Sequence, residues 1–356
     1  MSLTTNDNRI TTAELREQLA GRRLPKWAPY GVAGAAIVFS LILLVAGVVD
    51  GLAPAAVIAG LLFLFGQAAW SFRVEGRRHA TDRFATTLIY SAFVVAIIPL
   101  IAILFSVIVK GLEVFRIEFL TETMRNVSSR GEGGGIAHAL VGTIEQVLMA
   151  TIIAVPIGVM VAIYLVEYGR GKLASAISFF VDVMTGVPSI VAGLFIFTGL
   201  VLTLGMERSG FAASLSLVIL MLPVVVRTTE EMLKLVPSDL REASYALGVP
   251  KWKTITSIVL PTAMSGIITG VMLAVARVAG ETAPLLLTTF LTQSMNWDLF
   301  SGPQAALPTF IWDQISSGTD PSVNRAWGGA LVLILFVAIL YIGARIIARM
   351  FAPKTR

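Results

Sequence analysis

The sequence contains no cysteine, only two histidines, and few charges for its length. Without thiols there are no disulfides, no thiolate metal sites and no cysteine nucleophiles. His79 and His138 are too few and too far apart to predict a histidine-rich metal centre, so no metal and no cofactor is expected. Charged residues make up 14% of the 356 positions and hydrophobic ones 56%, with a mean hydropathy of +0.83. A soluble domain of that size needs far more polar surface. What is abundant instead is continuous apolar runs of about 20 residues, the length of helix that crosses a hydrocarbon core of roughly 30 Å. Continuity excludes a membrane β-barrel, whose strands alternate. The expected fold class is an all-α polytopic membrane protein embedded in the lipid bilayer. The net charge of +5 belongs to the loops of such a protein and does not point to nucleic acid.

Eight spans are predicted, at about 28–49, 52–72, 85–109, 139–166, 187–206, 211–230, 256–280 and 326–348. The first two form a hairpin around Asp50-Gly51. Residues 173–185 are too short to span and are expected to lie against the membrane or lead into the fifth span. Residues 1–27 are polar and lack the apolar core and cleavage site of a signal peptide, which predicts a retained cytoplasmic tail. With both termini inside, cytoplasmic segments hold 20 lysines and arginines and outer segments six: Lys110, Arg116, Arg125, Arg130, Arg208 and Arg325. That asymmetry orients the chain. The domain reading is a tail at 1–27, a transmembrane hairpin with a basic cytoplasmic loop at 28–84, a main transmembrane domain at 85–350 and a tail at 351–356. Two outer segments are long. Residues 110–138 include the flexible "SSRGEGGG". Residues 281–325 carry Trp297 and Trp312 and predict short interfacial helices. His138, at the outer start of the fourth span, is expected to be solvated; Glu145 and Asp182 are expected to serve packing or the interface.

The most informative loop is "VPSDLREASYALGVPKWKTITSIVLP", residues 236–261. It reads as helix–turn–helix. Ser238 or Asp239 is placed to cap the first helix, with Glu242 three residues beyond Asp239 as in a capping box. Gly248 suits the left-handed position that ends a helix, and Pro250 the first turn of the next. A short amphipathic helix between two spans has the shape of a knob for a cleft on a soluble partner.

Here the chain resembles the permease subunits of binding-protein-dependent ABC importers, whose signature is EAA, three residues, Gly, nine residues, Ile, one residue, Leu-Pro. The matching residues are Glu242-Ala243-Ser244, Gly248, Ile258 and Leu260-Pro261, with Ser244 in place of the third alanine. The resemblance implies a six-helix core, so the first two spans are extra. It also implies that the loop at 231–257 is a coupling segment docking on cytoplasmic ABC ATPase subunits through Glu242, Ala243, Ser244, Leu247, Gly248, Leu260 and Pro261. The chain itself has no phosphate-binding G-x-x-x-x-G-K-[ST], so it is not expected to be an enzyme. A narrower resemblance, to the PstA-type permeases of phosphate importers, rests on "GGGIAHALVGT" (133–143), "GVPSIVAGLF" (186–195), "VVVRTTEEMLKLVP" (224–237) and "ARVAGETAPLL" (276–286). It implies a bacterial inner-membrane location, a second permease of PstC type and an extracytoplasmic phosphate-binding protein as partners.

Arg277 and Glu281 stand in an apolar run, four residues apart, where charges are costly. On one helix they share a face and can pair. Guanidinium engages two oxygens of an oxyanion at once and keeps its charge when buried. The family places an arginine here on the translocation route, which carries over to Arg277, with Glu281 as its resting partner and Arg227 as a second contact nearer the cytoplasm. The bland readings stay open: a structural ion pair for Arg277–Glu281, and an interfacial anchor for Arg227. Permeases for sulfate or molybdate fit the loop equally, while "ARVAGETAPLL" favours phosphate. An ion-coupled secondary transporter needs intramembrane acids and visible repeats, and neither is clear.

Overall fold

The computed structural model describes residues 23–351, with side chains as far as Arg349. Most of the expected tail at 1–27, and the tail beyond Phe351, lie outside the described residues. Every regular element among them is helical. The chain divides into two units, Met1–Leu104 and Phe105–Arg356.

In the first unit, α1 (Ala28–Val45) and α2 (Leu52–Glu75) make the expected hairpin, with Gly51 at φ 97° ahead of α2. Trp27 meets Trp70 edge-on at 6.0 Å. The basic stretch 73–83, expected as a loop, is helical. The long helix α3 (Arg77–Val114) starts two residues after α2 ends, and only Gly76, at φ 83°, interrupts them. The reason is Glu75, whose side chain is 2% exposed. It accepts from the Leu24 amide at 2.7 Å, the Ser71 hydroxyl at 2.7 Å and the Arg83 guanidinium at 2.6 and 2.8 Å. One carboxylate thus ties the approach to α1, the end of α2 and the start of α3. At ~1.5 Å per residue α3 is about 57 Å long, well beyond a hydrocarbon core of roughly 30 Å.

The second unit contains α4 (Ile117–Thr121) and α5 (Ala137–Ile163), the latter prolonged by a π-helical turn at Tyr164–Tyr168. Next come α6 (Gly171–Thr185), α7 (Ser189–Ile196) with a π-helical turn at Phe197–Thr203, and α8 (Gly210–Lys234). The cytoplasmic loop holds α9 (Ser238–Ala246) and α10 (Lys251–Thr254). A third π-helical turn, Ile255–Val259, leads into α11 (Leu260–Ala279). The outer segment forms α12 (Ala283–Thr288) and α13 (Leu307–Ser317), the short helices expected there, before α14 (Asp320–Phe351). α6 and α7 meet at 108°. Val187 precedes Pro188 and so disfavours helical backbone, which breaks the run there. Seven described helices are long and apolar enough to cross a membrane, and counting the bent pair as one span makes eight.

α8 is the axis of this unit: 61% of its most apolar stretch is buried, against 6–33% for the other candidate spans. Leu217, Met221 and Val225 pack with Ala150 and Ala154 of α5 and with Ala274 and Val278 of α11. Small residues permit the approach. A Cβ on Gly158 would lie 2.7 Å from Val225 Cγ1. Buried serines on α8 satisfy themselves locally, Ser214 donating to the Gly210 carbonyl at 2.8 Å and Ser216 to Ala213 at 2.6 Å.

Candidate functional site

The loop at 236–261 folds as helix–turn–helix. Gly248 takes φ 76°, the left-handed conformation its position requires. The two ends expected from the sequence shift by a residue. Pro237, extended at φ −57° and ψ 139°, occupies the cap of α9, so Ser238 and Asp239 are already helical and no side chain caps. Pro250 likewise stands just before α10 rather than inside its first turn. Ser244, the departure from the EAA signature, is 4% exposed, and its hydroxyl meets that of Thr254 at 2.8 Å. The extra oxygen therefore bridges α9 to α10. Glu242, Ala243, Leu247 and Gly248 are exposed, Leu247 at 83%. Leu260 and Pro261 stand where the π-helical turn Ile255–Val259 passes into α11.

The base of α9 is locked by residues the sequence did not single out. Arg241 donates through Nε and Nη2 to Glu167 Oε1 at 3.0 and 2.9 Å. It also donates to the carbonyls of Val236 at 2.6 Å and Leu233 at 2.9 Å, where α8 ends. Lys251 donates to the backbone carbonyl of Glu167, and its ammonium lies 4.8 Å from the centre of the Tyr168 ring. The helix–turn–helix loop is thus joined to the end of α5 and to the last carbonyls of α8. Arg241 and Glu167 are 74 residues apart, and no local pattern relates them.

Arg227, on α8, is held from two sides. Nη2 donates to Asp182 Oδ1 at 2.5 Å and to the carbonyl and hydroxyl of Ser178 at 2.9 Å. Nη1 donates to Glu230 Oε2 at 2.5 Å, and Lys234 donates to the other oxygen of Glu230 at 2.7 Å. Asp182 is therefore the partner of Arg227, and the pair braces α6 against α8.

Arg277 lies in the last turn of α11 and is exposed. The ion pair expected with Glu281 does not form. α11 ends at Ala279, and Gly280 caps it at φ −95° and ψ 0°. The Glu281 amide then turns back to the Val278 carbonyl at 3.1 Å, which carries Glu281 off the face that residues four apart share on a continuous helix. Pro284, near the start of α12, suits a new helix and not the continuation of the old one.

The segments 186–195 and 276–286 come together just beyond. A Cβ on Gly193 would lie 2.6 Å from Pro284 Cα, so only glycine lets α7 rest on the start of α12. The outer loop is fastened by Gln304, 1% exposed, which donates to Glu145 Oε2 at 2.5 Å and accepts from Gln146 at 3.0 Å. Its backbone exchanges hydrogen bonds with Thr289 Oγ1 at 2.7 and 3.0 Å. His138, expected to be solvated, is buried because this loop folds over it, and Arg325 is buried too. His138 is 2% exposed and stands edge-on to Phe310. Arg325 is 3% exposed and donates to Gln314 at 2.8 Å, Gly131 O at 2.7 Å and Ser129 O at 3.2 Å. The glycine-rich stretch expected to be flexible is therefore pinned by its carbonyls.

A helix–turn–helix loop locked at its base, a buried axial helix and a set of membrane-spanning helices around it have the build of a membrane permease. The model of the family described as "Binding-protein-dependent transport system inner membrane component" matches residues 154–356. Phosphate transport system permease protein PstA 1 of Mycobacterium tuberculosis (strain CDC 1551 / Oshkosh) is 49% identical over 281 residues, covering 79% of this chain and 92% of that protein. PstA of Yersinia pestis is 43% identical over 279 residues, covering 78% and 92%. The solved structure of a bacterial ABC transporter involved in the import of alginate shares the fold, with a TM-score of 0.54 at 13% identity over 77% of this chain and 99% of that one. The chain belongs to the inner membrane components of binding-protein-dependent transport systems and, within them, to the PstA-type permeases. It is a multi-pass inner-membrane protein and a non-catalytic component of its transporter.

Proposed function

We propose that this chain is the permease subunit of an ATP-driven phosphate importer, which lines part of the phosphate pathway and couples it to ATP hydrolysis on partner chains. The observation that carries the reading is α9. Its outward surface, with Glu242 and Leu247, is exposed for docking, while Arg241 anchors its base to Glu167 and to the end of α8. A push on such a helix moves α5 and α8 with it, because the joint is made of several charge-assisted hydrogen bonds. Through α10 the same loop continues into α11, which carries Arg277.

The partners in this reading are cytoplasmic ABC ATPase subunits, a second permease of PstC type and an extracytoplasmic phosphate-binding protein. Arg277 receives phosphate near the outer side: its guanidinium is exposed on this chain and can offer two donors to two phosphate oxygens. Glu281, displaced from the helix, keeps the local charge low enough for the anion to leave. Arg227 is a second cation closer to the cytoplasm, and it meets phosphate only when Asp182 withdraws. The residues 85–350 form the transport domain, and the hairpin at 28–84 is an addition to it.

Reconstitution with the ATPase, the second permease and the binding protein tests this. The expected result is ATP-dependent uptake of phosphate and none of sulfate. Uptake of sulfate at a comparable rate, or phosphate uptake by this chain alone, would overturn it.

A further inference from the structure

The first unit holds a cavity of about 810 Å³ at the cytoplasmic end of the hairpin, between α1, α2 and the start of α3. Gln67 lines it from α2. This side chain is 2% exposed, and its Oε1 has no hydrogen-bond partner among the described residues. An unsatisfied acceptor in a membrane-spanning helix is costly, and neighbouring lipid chains offer it no donor. Glu75, beside it, is fully used by Leu24, Ser71 and Arg83. The cavity is also lined by Arg23, Lys26 and His79, and the adjoining hollow by Arg77 and Arg78. Basic groups therefore outnumber the acids Glu75 and Asp82 around both hollows. The edge-on pair Trp27–Trp70 stands at the same end of the hairpin, and tryptophans mark the headgroup level.

We propose that this cavity binds the headgroup of a phospholipid of the cytoplasmic leaflet that carries both an anionic phosphodiester and a hydrogen-bond donor, such as phosphatidylglycerol. Basic pockets between helices on the cytoplasmic side suit anionic headgroups. Arg23 and Lys26 take the phosphodiester. The headgroup hydroxyl donates to Gln67 Oε1 and supplies the bond that the described residues do not. Phosphatidylcholine has the phosphodiester but no donor. Inorganic phosphate shares the anionic chemistry but has no acyl chains to hold it among the helices. The inference goes beyond the transport reading and stands without it.

Native mass spectrometry of the delipidated full chain tests it, with phosphatidylglycerol, phosphatidylcholine and inorganic phosphate as probes. Net charge favours phosphatidylglycerol over phosphatidylcholine in a basic pocket, and one net hydrogen bond adds a further preference of roughly three- to tenfold. The preference should survive millimolar inorganic phosphate. Gln67→Met should lower the preference by roughly that factor while leaving the part due to net charge and the chain's elution volume unchanged, and the double variant R23Q/K26Q should weaken binding of phosphatidylglycerol itself. If Gln67→Met does not fold, R23Q/K26Q decides alone. Equal binding of the two lipids, an unchanged preference and affinity in the variants, or displacement of phosphatidylglycerol by inorganic phosphate would each overturn the proposal.

Discussion

The two ends of the second unit are built from different chemistry. At the cytoplasmic end, arginines are consumed by carboxylates within the chain: Arg241 by Glu167, and Arg227 by Asp182 and Glu230. At the outer end the fastening is by Gln146, Gln304 and Thr289, with Glu145 accepting from Gln304 and the buried Arg325 bound to neutral acceptors, and Arg277 stands exposed without an ion-pair partner among the described residues. A charge already matched inside its own chain is a joint. A charge left exposed at a position where exposure is costly is available to a ligand or to another subunit. In the proposed function the first end transmits force and the second meets the anion.

The joint is the place to break the comparison first. Glu167→Ala leaves Arg241 partly buried without its counter-charge, which costs roughly 3–5 kcal/mol by the measure of buried ion pairs. Thermal unfolding of the purified chain should show the loss, and in the reconstituted transporter more ATP should be hydrolysed per phosphate moved. Unchanged coupling would mean that the joint carries no force. At the other end, Arg277→Gln removes a charge-assisted contact of roughly 1.5–3 kcal/mol. Uptake should fall about tenfold or more, while thermal stability stays near that of the parent because no partner in the chain is orphaned. A large drop in stability would instead place Arg277 among the structural groups.

Two smaller changes sharpen the contrast. Ser244→Ala restores the family's third alanine and removes the hydroxyl pair with Thr254, an expected cost of about 1 kcal/mol in unfolding experiments with uptake preserved. Asp182→Asn is the mildest. The Asp182 side chain is 65% exposed, so solvent screens it and the expected loss is roughly 0–1 kcal/mol. If Asp182 gates Arg227, its effect appears in the uptake rate and not in stability.

The coupling segment was legible because its spacing is a local constraint. Gly248 must adopt a left-handed conformation to end one helix, and the prolines at 250 and 261 mark where the next helices begin. Arg277 was legible as a charge inside an apolar run. Its lack of a partner was not, since sequence spacing assumes that the helix continues through Glu281, whereas the chain turns at Gly280. Glu167, Gln304 and Asp182 were illegible for a different reason. Their partners lie 74, 159 and 45 residues away, and a single sequence holds no signal linking them. The burial of His138 was missed on the same ground, because it depends on an outer segment folding back.

The sequence by itself determined that this protein lives in a membrane, that its spans are helical and that the loop at 236–261 folds as helix–turn–helix. Hydrophobic run length, lysine and arginine asymmetry and helix-ending residues act locally, so they are written in order along the chain. The tertiary structure alone decided which arginines are spent inside the chain and which remains exposed. That choice depends on distances of a few ångströms between residues far apart in sequence, set by the close packing of α5, α8 and α11.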